Sequence, residues 1–163
     1  MKAIMVGVDG SPHSEVALKY AIAIAELAGA GVTGLAAVTG DYEGEPPPEE
    51  RVVREVEGLE HLPPVVIEWF EQALNRCADT CAVARVPFTA QMLGGWPGRV
   101  LSDEAQACDL LVLGARGQQD SIELLGRTAR DTVRSCIKPV LVTRGEYRPI
   151  GRALVGYDAS PAA

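Results

Sequence analysis

The chain of 163 residues has only two histidines, four cysteines and 5% aromatic residues, and it has no long hydrophobic run. His13 and His61 each lack a nearby His or Cys in sequence, so neither nominates a metal pair. Cys77, Cys81, Cys108 and Cys136 are too few and too scattered to staple a miniature domain, and they are expected to be reduced packing residues. No apolar stretch approaches the roughly 18 residues of a membrane helix, and the opening apolar run meets an acid at Asp9, too early for a secretory signal. The expectation is a cytoplasmic protein with no membrane partner. Positive charge is also short. Fifteen Lys and Arg against 22 Asp and Glu leave a net charge of -7, which repels a phosphate backbone and argues against nucleic acid. No Gly-Lys-Ser or Gly-Lys-Thr occurs, so a Walker loop is absent, and no spacing of Ser, His and acid nominates a hydrolase triad.

What is present is a 47% hydrophobic chain, long enough for one sizeable α/β core. Ala3 to Val8 reads as a strand buried on both faces, ended by the turn Asp9-Gly10-Ser11-Pro12. Apolar residues then recur every three or four positions from Val16 to Ala28, predicting a helix over 14–29 stopped by Gly29. Val32 to Thr39 is the second strand. The spacing predicts a helix from Pro63 to Ala78, a third strand from Cys81 to Val86, and a short helix from Val100 to Cys108. Leu110 to Gly114 is the strongest strand signal, and a helix over Ile122 to Ile137 leads to the fifth strand, Val140 to Thr143. Alternating strands and helices predict a doubly wound, open parallel sheet of the Rossmann-like α/β class, in order 3-2-1-4-5.

Two stretches depart from this pattern. Residues 41–60 hold eight acidic residues against two Arg around Pro46-Pro47-Pro48, which predicts a solvated excursion or, alternatively, a cover over the strand ends. At an offset of 149, Met5 to Pro12 aligns with Leu154 to Pro161, sharing Val, Gly, Asp, Ser and Pro at matching steps. The expectation is a domain over 1–147, with 148–163 a linker and the first strand of a truncated second copy.

In an open parallel sheet, ligands bind beyond the carboxyl ends of strands where the order reverses. Asp9-Gly10-Ser11 ends the first strand and Gly114-Ala115-Arg116-Gly117 ends the fourth, so adjacent strands would place both turns on one crevice. Gly114 and Gly117 would let backbone amides approach a phosphate, and Gly126-Arg127-Thr128 would close the far side. Plainer readings stay open: Asp9 caps or holds the first turn, and Arg127 is a solvated helix residue.

These motifs resemble the universal stress protein family. Its nucleotide-binding members carry a glycine, two residues, a glycine, nine residues, then a glycine followed by Ser or Thr. Here Gly114 and Gly117 are followed by eight residues, then Gly126-Arg127-Thr128 and Pro139-Val140-Leu141-Val142. Val8-Asp9-Gly10-Ser11-Pro12 with Ser14, and Asp109 to Gly114, also look like the family, and the resemblance covers about residues 2–144. It implies that Asp9, Gly10 and Val38 meet adenine and ribose, and that Leu113 and Gly114 bound the ribose. Arg116, Gly117, Gly126, Arg127 and Thr128 would serve the phosphates. The loop is one residue short, and Arg127 stands where the family has a small hydroxyl.

The implied function is a regulatory stress-response protein that binds an adenine nucleotide, ATP with or without Mg²⁺, and presents that state to a partner. An alternative is an interaction protein with an empty crevice, pairing as a homodimer or with its own second domain through the fifth-strand edge. A third reading, slow ATP hydrolysis with Asp9 near Mg²⁺, lacks a general base, so no catalytic or metal residue is nominated.

Overall fold

The computed structural model describes residues 1–39, 59, 62–117 and 125–156. Five strands, β1 Ala3–Gly7, β2 Gly31–Val38, β3 Phe88–Gly94, β4 Leu110–Gly114 and β5 Val140–Thr143, form one parallel sheet in the order β3-β2-β1-β4-β5. The expected fold class and strand order are therefore observed. Four α-helices accompany them among the described residues: α1 Pro12–Ala28, α2 Pro64–Val83, α3 Pro97–Glu104 and α4 Arg127–Ser135. The sheet has two covered faces because its strands alternate apolar side chains on both sides. Ile4, Val6, Val32 and Val112 belong to one cluster with Ala17, Ala21, Phe70 and Leu74 of α1 and α2. Met5, Leu35, Leu111 and Leu113 pack with Leu101, Ala105 and Cys108 on the opposite face.

The first helix follows its sequence signals closely. Ser11 caps α1 by accepting from the Ser14 backbone N–H, Pro12 occupies the first turn, and Gly29 closes the helix at φ 63°. The expected third strand is wrong. Residues 81–83 continue α2, and β3 begins only at Phe88, after a turn in which Arg85 takes φ 58°. The apolar stripe of α2 runs on through Cys77 to Cys81, which is fully buried, and a short apolar run is equally compatible with a buried helix. The true β3 hides its signal because it is an edge strand, with Thr89, Ala90 and Gln91 exposed. α3 starts at Pro97, three residues before the expected position, and ends in a 3-10 turn over Ala105–Ala107. α4 spans Arg127–Ser135 within the expected 122–137, and Gly126 is its N-cap rather than an interior residue. Residues 122–124 of that expectation lie outside the described residues, as does the acidic 41–60 stretch apart from Leu59.

Cys77, Cys81 and Cys108 are buried, and Cys136 is partly buried. Burial pushes the Cys77 and Cys81 thiols up to about 11, so they remain protonated at neutral pH. No helix among the described residues is long and apolar enough to cross a membrane. After β5, Tyr147 sets its ring edge-on to Tyr20 of α1 at 4.9 Å, and the Arg148 N–H donates to the Tyr20 hydroxyl at 3.2 Å. Beyond this anchor, residues 149–156 are irregular and Leu154 is 99% exposed; the remainder of the sequence repeat lies outside the described residues.

Asp109 ties the amino end of β1 to β4 by accepting from the Lys2 and Ala3 backbone N–H groups. Those two bonds hold its carboxyl below the ordinary carboxylate value. A depressed folded-state value means the contribution is present above the unfolded value, about 3.9, and is lost as pH falls through the folded value. Asp109→Asn should lower the melting temperature at pH 7, and the gap from wild type should close as thermal scans move from pH 5 to below about pH 3. A gap that persists at low pH would contradict this assignment.

Candidate functional site

The parallel pairing of β1 with β4, in which Ile4, Met5 and Val6 face Leu110, Leu111 and Val112, is the point where the strand order reverses. A cavity of about 380 Å³ opens there, within the range of small-molecule sites. Its walls come from every neighbouring strand end: Gly7 at the end of β1 with Val8 and Asp9 after it, Leu35 and Ala37 on β2 with Thr39 after it, and Leu113 and Gly114 at the end of β4 with Arg116 and Gly117 after it. Helices supply Ser14, Phe70, Pro97, Leu101, Arg127, Thr128 and Ala129, with Trp96 just before α3. The amino ends of α1, α3 and α4 thus converge on one space. Each contributes positive potential from its first turn, and no side chain caps α3 or α4.

The two expected turns are brought together. Asp9 lines the cavity, and its Oδ1 accepts from the Ser11 backbone N–H at 2.9 Å. It therefore holds the turn, the plainer role, while its carboxylate remains part of the cavity wall. Gly10 sits behind that wall, at φ 73°; a Cβ there would meet Trp69 Nε1 at 2.7 Å. Trp69 in turn donates from Nε1 to the Asp9 carbonyl at 3.2 Å, so α2 braces the turn from outside.

Val38 does not line the cavity. Its side chain is buried in the α1–α2 core, and its carbonyl accepts from the Gly95 N–H at 2.8 Å. The reason is strand alternation: Leu35, Ala37 and Thr39 point to the α3 face, whereas Val32, Ala36 and Val38 point to the other. Leu113 and Gly114 do line it. Gly114, however, answers first to packing, because a Cβ there would lie 2.8 Å from the backbone carbon of His13. Gly117 and Thr128 are in the lining as expected, while Gly126 stands one step back. It donates its N–H to the Ala115 carbonyl at 2.7 Å, fixing the start of α4 against the end of β4.

Arg127 does not plug the cavity. It is exposed at the mouth, with its guanidinium carbon 5.8 Å from the centre of the Trp96 ring. An exposed contact of this kind contributes about 0.5–1 kcal/mol, comparable with an exposed ion pair, so the ring holds the guanidinium at the mouth without preventing contact with an anion there. Arg116 lines the same wall, and its buried Nε has no hydrogen-bond partner among the described residues. A buried donor of this type calls for an acceptor. The resulting cavity is polarised, with one carboxylate beyond β1 and two guanidiniums beyond β4.

Ala37, Thr39, Phe70, Trp96 and Pro97 were not among the expected site residues. Ala37 and Thr39 were accessible from strand parity alone. Trp96 and Pro97 were assigned to a loop, and only a helix beginning at Pro97 directs them to the crevice. Phe70 reads as an ordinary stripe residue of α2, and it is indeed buried in the core beside the cavity.

The structure is an open, doubly wound α/β domain with a polar cavity at the reversal of its strand order. The chain belongs to the universal stress protein family, whose profile matches residues 1–144. Among solved structures, it is similar to universal stress protein UspA from Lactobacillus plantarum at 24% identity and TM-score 0.61, covering 88% of this chain and 97% of that one. It is similar at 19% identity and TM-score 0.65 to the universal stress protein from Archaeoglobus fulgidus in complex with dAMP, covering 87% and 97%. An Arabidopsis thaliana family protein with AMP bound matches at 17% identity and TM-score 0.61, over 87% and 90%. No curated protein matches the chain at a significant level.

The contact between Gly114 and His13 sets a steric test. Gly114→Ala forces a Cβ against backbone that cannot turn aside, an overpacking that costs about 1–3 kcal/mol. Calorimetry should show a loss of about 2–4 °C in melting temperature per kcal/mol. An unchanged melting temperature would show that α1 and β4 are not packed this closely.

Proposed function

We propose that the crevice binds an adenine nucleotide, with ATP the fullest fit, and that the protein is a cytoplasmic regulatory member of its family. The observation that carries this reading is the polarised cavity at the β1–β4 split. Asp9 at one end suits a ribose hydroxyl, which can donate to a carboxylate. Arg116, Arg127 and the uncapped amino end of α4 suit phosphate oxygens at the other end. Arg116 is partly buried in that wall, so its charge is less screened than that of an exposed Arg. Apolar area from the partly exposed Ala37 and Pro97 suits a base. The named relatives with dAMP and AMP support the same class of ligand. The one-residue-shorter glycine loop is compatible with this, since Gly117, Arg127 and Thr128 all reach the cavity wall.

A second reading concerns the partner surface. β5 is an edge strand with Val140, Leu141 and Val142 only partly buried, and Ile137 beside it is 80% exposed. An apolar parallel edge of this kind suits pairing with a second copy of the domain. That copy is either another chain or one begun by residues 148–163, which repeat the first strand in sequence. Nucleotide binding and pairing are compatible, and occupancy of the crevice reaches a partner only if it favours one arrangement of the 114–117 turn.

Titration calorimetry with ATP and AMP should give saturable one-site binding, and denaturation of freshly purified protein should release adenine nucleotide. Asp9→Asn keeps an acceptor for the turn but removes the charge, so affinity should drop roughly tenfold while the melting temperature changes little. Absence of binding at millimolar nucleotide, or an Asp9→Asn variant with wild-type affinity, would contradict the reading.

A further inference from the structure

We infer that Trp96 is a positioning residue for Arg127, and that together they make the crevice selective for nucleotides with more than one phosphate. The inference rests on the nucleotide reading above and deepens it. Its starting observation is the departure at Arg127, where a long cation occupies the first position of α4 and its guanidinium lies over Trp96, the residue just before α3. Two helices are thereby linked across the mouth of one cavity by side chains that both line it.

The sheet order fixes where along a ligand this pair acts. Thr39, Asp9 and Gly114–Gly117 stand at the ends of β2, β1 and β4, which are neighbours in that order. A ligand with its ribose at Asp9 therefore runs its anionic end toward β4 and the start of α4. Arg116, partly buried, is the inner cation; Arg127, exposed, is the outer one. A monophosphate satisfies the inner group. Further phosphates reach the outer one.

Trp96 contributes by holding the guanidinium near the mouth. At 5.8 Å from the ring centre the guanidinium is attracted by the ring without forming a hydrogen bond to it, so its five N–H donors are not used up by the ring. Without the ring, an exposed Arg on the first helical turn samples many rotamers and loses that entropy on binding. The ring reduces the loss. Phe or Tyr at position 96 would keep a π face, while Ala would not.

The test is titration calorimetry of AMP and ATP at fixed ionic strength in magnesium-free buffer, so that only protein charge reads the phosphates. Wild type should bind ATP about tenfold or more tightly than AMP. Arg127→Ala should reduce ATP affinity to near that of AMP, with a much smaller loss for AMP. Trp96→Ala should do the same in part, Trp96→Phe should restore discrimination, and the double variant should be no worse than Arg127→Ala alone. A merely structural role for Trp96 predicts equal losses for both ligands and no dependence on Arg127. Equal binding of AMP and ATP by wild type, or discrimination that survives Arg127→Ala, overturns the inference and leaves nucleotide binding standing. Failure of both nucleotides to bind overturns both.

Discussion

The pairing of β1 directly against β4 is the constraint on which the rest depends. It joins strands separated by more than 100 residues and leaves the turns after them side by side at the carboxyl edge. The crevice is a consequence of that topology, since the connection from β1 leaves toward β2 while β4 continues to β5 on the other side. Close packing maintains it. Gly7 makes room for Leu113 and Leu101, and Gly114 makes room for the backbone of His13, so the two strand ends and the first turn of α1 sit closer than larger residues would permit.

Charge then gives the crevice a direction. A single carboxylate at the first turn and two guanidiniums near the fourth strand and α4 divide it into an acidic end and a basic end. The amino end of α4 adds to the basic side without any lysine. A chain of net charge -7 can carry this local basic end because the acidic excess of the sequence is concentrated at 41–60, away from the glycine turns in sequence. The Arg127 departure from the family pattern changes the chemistry of the outer end from a hydroxyl to a charged fork, which exchanges short-range precision for reach.

Much of this was legible in the amino-acid order, and the parts that were not share a physical cause. β1, β2 and β4 announce themselves as apolar runs because interior parallel strands bury both faces, while β5 is legible because its edge position is nevertheless apolar. β3 does not, since its outer position lets Thr89 and Gln91 face solvent, and the apolar end of α2 took its place in the reading. Asp9, Gly114, Gly117, Arg127 and Thr128 were legible as candidates from the glycine turns, Leu113 and Arg116 only through the family resemblance, and all of them line one cavity. Val38 turns its side chain to the face opposite Ala37 and Thr39, the difference that one residue makes on a strand. Trp96 was invisible because its role depends on a contact between two helix starts that no local pattern encodes.

The central claim is that ligand chemistry occurs at the β1–β4 split and nowhere else on the described surface. Backbone amide chemical shifts of isotopically labelled protein, followed during addition of AMP, test this most directly. Saturable shifts centred on Asp9, Gly114, Gly117 and the first turn of α4, with the outer faces of α1 and α2 unmoved, are the expected result. Shifts confined to other surfaces, or none at millimolar AMP, would contradict the account even if every element of the fold stands.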